Sequence, residues 1–560
     1  MNTSAFTHQV ASPWCFPISR TEIQIKLRTG KDITGVVLTY GDPHQGHVVN
    51  GKWGWAGHKQ PMTMSGHGEL HRYWTAIITP PQGRLKYDFT ISDGTESVIF
   101  GERSILPIDE VPDNFNYFFY PYLHSEPIYH APTWVKDTVW YQIFPDRFNS
   151  VPAKKQWPTG PVTNATHYGG NLQGIIEKLP YLAELGITGL YLTPVFESPS
   201  THKYDTTDYF RIDPDFGTTE DLKELVHEAH SLDIRVMLDA VFNHAGSKFA
   251  PWLNAKNDPG SPYRQWFSFN EDGYETFAFS KNMPKLKSTN QAVIDYFCHV
   301  GQYWINEADI DGWRLDVANE ISPEFWRAFR KAVRSDKDIY ILGEVWHDAN
   351  PWLLGDQFDA VMNYFYTKIV MDFFIHKAMT VETFREKIDD FRNRYPQIVL
   401  KNQFNLFDSH DTARLMTQAK GDVSIVKQML AILLCSEGSP CIYYGTEIGL
   451  PGEHDPDCRR LMQFDPDPMT HELYRFIKTF IALRKQYPAL ANEGSWSWID
   501  HDSLIMIKRD DLVLIINPSD KEADSPITGQ ILYSEEGALH SRAGDLYLIQ
   551  GRMAWSDWLC

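Results

Sequence analysis

The sequence predicts an α/β protein in which a (β/α)8 barrel is preceded by a β-sandwich and followed by a small β domain. Three observations support this prediction. The first stretch alternates apolar and polar residues in short runs, the middle interleaves apolar runs with helical patterns, and the end returns to short alternating runs. With 560 residues, the chain is long enough for two or three domains.

The first and last domains are predicted from the same period-two pattern. Segments such as EIQIKLRTG and YWTAIITPPQGRLKYDFTISDG alternate in polarity and are separated by Gly, Pro, Asp and Asn. This pattern is typical of a β-sandwich, which we place at residues 1–130. Similar short runs, SLIMIKRD, DLVLIINP and GDLYLIQG, predict a small β domain at residues 487–560.

The barrel is predicted at residues 131–486. One connecting helix is explicit: Thr218 and Asp221 fit a capping box, and apolar residues follow at helical spacing, namely Leu222, Leu225, Val226 and Ala229. The third and fourth apolar runs lie about 65 residues apart, so we expect an inserted loop domain near residues 245–290. The eight strand-like runs that predict a TIM barrel are VWYQIF, ITGLYLTP, IRVMLDAVF, IDGWRLDV, IYILGEV, FDAVMNY, QFNLFDS and PCIYYG.

Charge and hydropathy exclude several classes of partner. Asp and Glu number 72 against 52 Lys and Arg, and a net charge of −20 repels nucleic acid and anionic lipid. The N-terminal residues lack a basic region followed by an apolar run, and we find no stretch of about 18 apolar residues. We therefore expect a cytoplasmic protein with neither nucleic-acid nor membrane partners.

Two opposite charges lie inside the fourth run, DGWRLDVANE. Arg314 and Asp316 are two positions apart, so in a strand both point to the same face. An arginine beside an aspartate lowers the carboxylate pKa, and we expect Asp316 to stay ionised and able to attack an electrophilic carbon. A structural ion pair explains this strand equally well when it is considered alone.

Three other runs also deliver an acid at their C-terminal ends, where barrel enzymes place their chemistry: Asp239, Glu344 and Asp411. Asp316 and Glu344 on neighbouring strands could lie about 5 Å apart, which suits the nucleophile and the acid/base of a retaining glycosidase. Glu344 has no arginine beside it in the sequence, and its apolar neighbours favour the protonated form that donates a proton. His244 and His410 add donors for sugar hydroxyls.

The segments DAVFNH, GWRLDVANE, ILGEVWH and FDSHDT resemble the four signature regions of the α-amylase superfamily, glycoside hydrolase family 13, in order and spacing. The resemblance implies that Asp316 is the nucleophile, Glu344 the acid/base and Asp411 the third carboxylate that grips sugar hydroxyls. It also implies substrate-binding roles for further residues: Arg314, His244, His410, Asp239, Asn243, Tyr204 and, beside Tyr204, His202.

Other segments are similar to the neopullulanase, cyclomaltodextrinase and maltogenic amylase group: MPKL at 283–286, VANE at 317–320 and GEHDPDCRR at 452–460. This implies acceptor-side roles for Trp346 and Glu320, and we predict that Asp455 and Arg459 bind substrate. In that group the N-terminal β domain drives dimerisation and narrows the cleft. A homodimer formed through residues 1–130 is therefore expected.

Many relatives also have a calcium site, formed by an acid-rich loop and a GGD triplet. This chain has DRFNSVPAKKQWPTG in the loop, and its triplet is Gly169, Gly170 and Asn171. Calcium prefers six to eight oxygen ligands with carboxylates among them, so we expect a weak or absent site and no required cofactor.

The leading hypothesis is an enzyme that cleaves α-1,4 links in cyclodextrins and maltodextrins with retention and transglycosylation, with pullulan as a further candidate substrate. An α-1,6-glucosidase or maltodextrin glucosidase of the same superfamily is the alternative within the enzyme class. A non-catalytic glucan-binding protein is the alternative from another class, and the three carboxylates Asp316, Glu344 and Asp411 argue against it.

Overall fold

The computed structural model describes residues 1–49, 52–123, 127–154, 156–271, 273–524, 529–534, 540–541 and 545–550. The chain divides into two compact units. Unit 1 consists of Met1–His130, Asn350–Asp356 and Met379–Leu400, and unit 2 of Ala131–Ala349, Gln357–Ala378 and Lys401–Cys560. Within the described ranges, no helix is both long enough and apolar enough to cross a membrane.

Unit 1 contains two antiparallel sheets, which confirms the predicted N-terminal β fold. In spatial order, the first sheet consists of Cys15–Pro17, Ile23–Gly30, His71–Ile78 and Thr63–His67. The second consists of Ile105–Pro107, Ser97–Phe100, Leu85–Ser92, Gly35–Gly41 and His58–Pro61, with Phe118–Tyr120 also paired to Leu85–Ser92. A separate hairpin joins Gly46–Val49 to Lys52–Trp55. Side chains of both sheets form one core, which includes Ile25, Leu27, Trp74, Tyr87 and Phe89.

Two helices from the middle of the chain, Val381–Arg394 and Gln397–Leu400, also belong to unit 1. The Asp389 carboxylate accepts the His67 N–H at 2.8 Å, and Asp390 accepts the Tyr73 hydroxyl at the same distance. Buried Lys26 donates to two carbonyls at the C-terminal end of the longer helix, Asn393 O and Tyr395 O, each at 3.0 Å. These polar contacts explain why a segment predicted within the barrel range is grouped with the sandwich.

We expect the contribution of His8 to the stability of unit 1 to be lost as the pH falls below neutrality. His8 is buried, with Nδ1 2.7 Å from Lys26 O and Nε2 2.8 Å from the Tyr87 hydroxyl. Burial lowers the pKa of His8 from 6.5 to about 4. Between pH 6.5 and pH 4, the His8 ring is therefore protonated in the unfolded chain but neutral in the folded unit. Stability attributable to His8 is complete above about pH 6.5 and falls by roughly 3 kcal/mol as the pH decreases to about 4.

Urea unfolding at several pH values, for the wild type and His8→Gln, tests this prediction. The variant should lose that part of the pH dependence. Asp88, whose pKa burial raises to about 6, contributes with the opposite sign in both proteins and cancels in the comparison. Equal slopes in the two proteins would contradict the assignment to His8.

Unit 2 contains the predicted barrel. Its eight strands are parallel, and a bridge between Met362 and Phe404 links the two ends of the sheet. The strands correspond to the eight predicted runs: Trp140–Ile143, Gly189–Leu192, Arg235–Ala240, Gly312–Leu315, Tyr340–Gly343, Ala360–Val361, Phe404–Asn405 and Ser439–Tyr443. Closure of the sheet brings the C-terminal ends of all eight strands to one rim.

The helices of unit 2 follow the predicted alternation. They are Leu172–Leu185, Thr219–Ser231, Ala250–Asn257, Gln291–Ala308, Pro323–Val333, Tyr364–Phe374, Leu415–Gln418, Val423–Cys435 and Glu472–Gln486. The capping box is confirmed, since Thr218 accepts the Asp221 N–H and Asp221 accepts the Thr218 N–H at 2.7 Å. The apolar stripe that follows, Leu222, Leu225, Val226 and Ala229, is buried.

Two further regions complete unit 2. The excursion predicted near residues 245–290 contains the helix Ala250–Asn257 and a short hairpin, Phe269–Asn270 with Gly273–Tyr274. Another hairpin pairs Phe196–Glu197 with Asp208–Ile212. At the C-terminal end, an antiparallel sheet has the order Ser497–Trp498, Ile505–Arg509, Leu512–Ile516, Leu546–Gln550 and Gln530–Ser534, and Ala523–Asp524 pairs with His540–Ser541. The predicted C-terminal β fold is therefore confirmed, and this sheet belongs to unit 2.

Candidate active site

A buried arginine connects three acidic side chains at the rim of the barrel. Arg314 Nη1 donates to Asp239 at 2.9 and 3.0 Å and to Asp316 at 2.7 Å. The strand register causes this, because Asp239 and Arg314 are direct neighbours on adjacent parallel strands. Arg314 Nη2 lies 3.0 Å from Glu344 Oε2, as an ion pair without hydrogen-bond geometry. One guanidinium therefore serves the two predicted catalytic carboxylates and Asp239.

This sharing changes the electrostatics predicted for Asp316. Burial raises its pKa well above the ordinary value, Arg314 opposes that shift, and the charges of Glu344 and Asp239 add to it. Burial also raises the pKa of Asp239 to about 6. Arg314 lowers the pKa of Asp316, as predicted, but the net shift is upward, so the expectation that Asp316 has a lowered pKa is wrong. A single cation shared by three carboxylates does not compensate for their removal from water.

Glu344 is held at both oxygens. Its Oε2 accepts the Val317 N–H at 2.9 Å, and its Oε1 accepts the indole N–H of Trp346 at 3.0 Å. Val317 has a φ of 46°, in the left-handed region that β-branched residues rarely adopt, and this turn directs its N–H toward Glu344. The lack of an arginine next to Glu344 in the sequence is misleading, because Arg314 reaches it from the neighbouring strand.

The two predicted acceptor-side residues are partly open to solvent. The Trp346 ring is 51% exposed and lies flat on Tyr364, with ring centroids 3.5 Å apart and planes at 4°. Glu320 forms an ion pair with Lys285 at 2.7 Å. The Asn243 amide donates to Glu320 at 3.5 Å, which connects the third strand's C-terminal segment to this side of the rim.

Asp411 belongs to a second charged group. Its Oδ2 lies 3.3 Å from His410 Nε2, and its Oδ1 lies 3.5 Å from Arg459 Nη2. Arg459 also forms an ion pair with Asp455 at 2.8 Å and donates from Nε to the His410 carbonyl at 2.9 Å. Burial raises the pKa of Asp411, while Arg314 and Arg459 oppose the shift. The Asp411 side chain is 29% exposed, so it can reach a bound ligand.

Tyr204 joins the two groups. Its hydroxyl donates to Asp239 Oδ2 at 2.9 Å and lies 2.5 Å from His410 Nε2, and its ring is parallel to the His410 ring at 4°. His202 stacks on Tyr204 and accepts its N–H at 3.1 Å. His244 Nε2 donates to the Tyr204 carbonyl at 3.1 Å. Hydrogen bonds and ion pairs thus connect these predicted residues along the rim.

The family described as "Alpha amylase, catalytic domain" matches residues 142–493, and "Alpha amylase, N-terminal ig-like domain" matches residues 1–124. The chain belongs to the α-amylase family. It is therefore a glycosidase, and the site described above occupies the rim of the family's catalytic barrel.

Individual relatives agree with this family assignment. The chain is 45% identical to a cyclomaltodextrinase of Geobacillus thermopakistaniensis (strain MAS1), covering 94% of this chain and 93% of the relative. It is 42% identical to an intracellular maltogenic amylase of Bacillus subtilis, covering 89% and 87%. A solved cyclomaltodextrinase structure matches with a TM-score of 0.88 at 37% identity over 98% of both chains. The predicted family and group are confirmed.

Several residues of this glycosidase's site were missed by sequence reasoning. Tyr191 donates to Asp239 at 2.7 Å, Tyr364 supports the Trp346 ring, and Phe277 stacks on His244 at 4.7 Å. Gln142 Nε2 lies 2.7 Å from His410 Nδ1. Only Gln142 carried a usable signal, as a polar residue within the otherwise apolar run VWYQIF. The aromatic residues resemble ordinary core residues in the sequence.

In this chain, the residues at the calcium site that the resemblance implies do not fit a calcium ion. The Asp146 carboxylate accepts hydrogen bonds from Arg147 Nε and from the N–H groups of Tyr168 and Gly169. The Asn171 side-chain oxygen accepts two backbone N–H groups, and the Lys154 ammonium donates to the Tyr168 carbonyl. Calcium requires several free oxygen ligands, whereas these oxygens already accept hydrogen bonds and the Lys154 ammonium lies beside them.

We expect chelation to leave the protein unchanged. In EDTA, the melting temperature and the turnover of maltotriose should match those in added calcium, because Lys154 and backbone N–H groups already hydrogen-bond the oxygens that would bind the ion. Parallel melts in EDTA, calcium and magnesium provide the measurement. A fall in melting temperature with EDTA that calcium alone reverses would contradict the prediction.

Proposed function

We propose that this glycosidase hydrolyses α-1,4-glucosidic bonds of cyclodextrins and maltodextrins with retention, accepts pullulan, and transfers sugar to other sugars. The observation that carries the proposal is the shared contact of Asp316 and Glu344 with Arg314. It holds these two carboxyl groups side by side at the barrel rim, as a nucleophile and a proton donor require. The names of the relatives support the same substrate class.

The first step uses one oxygen of Asp316. Arg314 holds Oδ1, and within the described part of the chain Oδ2 receives no hydrogen bond, so Oδ2 is free to attack the anomeric carbon. The Oδ2–carbon bond forms as the glycosidic carbon–oxygen bond breaks, and Glu344 gives its proton to the departing oxygen. With all three acids ionised, the Arg314 cluster would carry two excess negative charges. The step needs Asp316 as a carboxylate and one proton in the cluster for the departing oxygen.

The second step reverses the role of Glu344. As a carboxylate, it takes a proton from an incoming water, whose oxygen attacks the anomeric carbon and releases Asp316. A sugar hydroxyl can replace that water and yield a transfer product. Trp346 is suited to bind such an acceptor, because its ring is half exposed while its N–H contacts Glu344.

Product analysis on β-cyclodextrin, pullulan and soluble starch tests the proposal. We expect linear maltodextrins from β-cyclodextrin, α-1,4 cleavage of pullulan and slower attack on starch. Proton NMR of the first product should show the α-anomer before mutarotation, and added glucose should give transfer products. Initial release of the β-anomer, or cleavage restricted to α-1,6 links, would refute the proposal.

We further propose an intracellular homodimer that assembles through the N-terminal β unit. The name of the Bacillus subtilis relative supports the location, and exposed apolar side chains of unit 1 support the interface. These include Ile108, Phe115 and Val111, the last of which is 87% exposed.

Light scattering should give twice the mass of one chain, and the double variant Val111→Glu with Phe115→Glu should halve the measured mass. Leu232→Glu, at an exposed apolar residue of unit 2, is the matched control. A wild type that is monomeric at working concentration would refute this proposal, and immunodetection in fractionated source cells tests the location.

A further inference from the structure

A chain of hydrogen bonds crosses the barrel beneath the predicted sugar site. Gln142, inside the strand Trp140–Ile143, lies with Nε2 2.7 Å from His410 Nδ1. His410 Nε2 lies 2.5 Å from the Tyr204 hydroxyl, which is 2.9 Å from Asp239 Oδ2. Gln142, His410 and Asp239 are all buried. Each hydrogen bond in the chain therefore needs one donor and one acceptor.

The hydrogen-bond partners of Asp239 determine where the protons of this chain lie. Asp239 accepts from Arg314 and from the Tyr191 hydroxyl, so its carboxylate acts as an acceptor. The single hydroxyl proton of Tyr204 must then point to Asp239. The Tyr204 oxygen can only accept from His410, which requires a proton on Nε2.

The protonation state of the other ring nitrogen of His410, Nδ1, follows from the proton on Nε2. Burial and the nearby Arg459 and Arg314 lower the pKa of His410 well below its ordinary value, so the ring carries one proton. With that proton on Nε2, Nδ1 is an acceptor, and the Gln142 amide nitrogen supplies the donor. Gln142 Oε1 is buried without a hydrogen-bond partner in the described part of the chain. The amide thus leaves its own oxygen unpaired while its nitrogen satisfies His410.

We propose that Gln142 is a positioning residue that fixes the tautomer of His410, so that the Nε2–H points at Tyr204, Asp411 and the bound sugar. Asp411 Oδ2 is 3.3 Å from the same Nε2, within reach of the proton once a ligand shifts the Tyr204 contact. A neutral ring with a defined N–H can donate to a sugar hydroxyl without adding a cation beside the acids. The inference rests on the proposed function, because it concerns the same site.

Two substitutions separate this role from simple packing. Gln142→Met keeps the volume but removes the donor, and we expect kcat/KM on maltotriose to fall about tenfold, as the loss of one hydrogen bond predicts. Gln142→Glu keeps the shape but replaces the donor with an acceptor. His410 must then place a proton on Nδ1, and we expect a loss of about a hundredfold with a changed pH profile. Gln403→Met is the matched control, because Gln403 is a buried glutamine whose Oε1 accepts the Val361 N–H.

Nitrogen NMR of histidine-labelled protein reads the tautomer independently of activity, with His410 assigned by its loss in His410→Gln. We expect an unprotonated Nδ1 and a protonated Nε2 in the wild type and in Gln403→Met, and a protonated Nδ1 in Gln142→Glu. A wild-type Nδ1 that carries the proton would overturn the proposal. So would a folded Gln142→Glu protein whose ring shifts and pH profile match the wild type. The NMR result remains readable even if the substrate proposal fails.

Discussion

Glu344→Gln is expected to reduce turnover of maltotriose by about 10²- to 10⁴-fold, because the leaving oxygen loses its proton donor. The fold should persist. Glutamine has the same shape, its side-chain oxygen can still accept the Val317 N–H, and the Trp346 ring keeps its stacking partner Tyr364. The loss should therefore lie in kcat, with the melting temperature close to that of the wild type.

A substrate that needs no proton donor sharpens this test. Fluoride departs from a maltosyl fluoride with far less need of protonation, so the variant should form the glycosyl-enzyme from that compound at a rate much closer to the wild type. Glu447→Gln is the matched control. Glu447 is a buried acid bound by the Tyr141 and Tyr181 hydroxyls, and burial raises its pKa, so a neutral amide replaces it closely. Near-wild-type turnover of maltotriose by Glu344→Gln would end the acid/base assignment.

The barrel could be predicted because its signals are local. Each strand is a short, nearly continuous apolar run, as strands buried on both faces must be, and the cap at Thr218 is encoded within four residues. The acids Asp239, Asp316 and Glu344 could be grouped from sequence for one geometric reason. The carboxyl ends of parallel strands meet at one rim.

Contacts between distant segments could not be predicted. The sharing of Arg314 depends on the register between strands, which places Asp239 beside it although 75 positions separate the two residues. Burial, together with the charges of Glu344 and Asp239, outweighs Arg314 and raises the pKa of Asp316. The left-handed turn at Val317 and the association of Val381–Arg394 with the sandwich likewise depend on tertiary contacts. The intrinsic conformational preferences of these residues predict neither the turn nor the association.

Arg314→Met is expected to cost about 3–5 kcal/mol of stability at neutral pH, since it leaves buried carboxylates without their cation. The three acids that Arg314 contacts would then repel one another, namely Asp239, Asp316 and Glu344. Activity should fall at least as far as in Glu344→Gln, because Asp316 loses the group that holds Oδ1 and favours its ionised form. Arg314→Lys keeps one charge but cannot donate to several acids at once, so we expect it to retain more stability than activity.

The pH dependence of this variant distinguishes uncompensated charge from a simple packing defect. Without Arg314 the folded-state pKa values of Asp239 and Asp316, already raised by burial, rise further. The folded protein then binds more protons than the unfolded chain, so the stability deficit of Arg314→Met should shrink as the pH falls from about 8 to about 5. Arg484→Met is the matched control, because Arg484 is also buried but donates to the carbonyls of Leu434, Ser436 and Gly438. Its deficit should stay constant over the same range. Urea unfolding at both pH values measures the two deficits, and a pH-independent loss in Arg314→Met would show that Arg314 acts by packing rather than by neutralising the three acids.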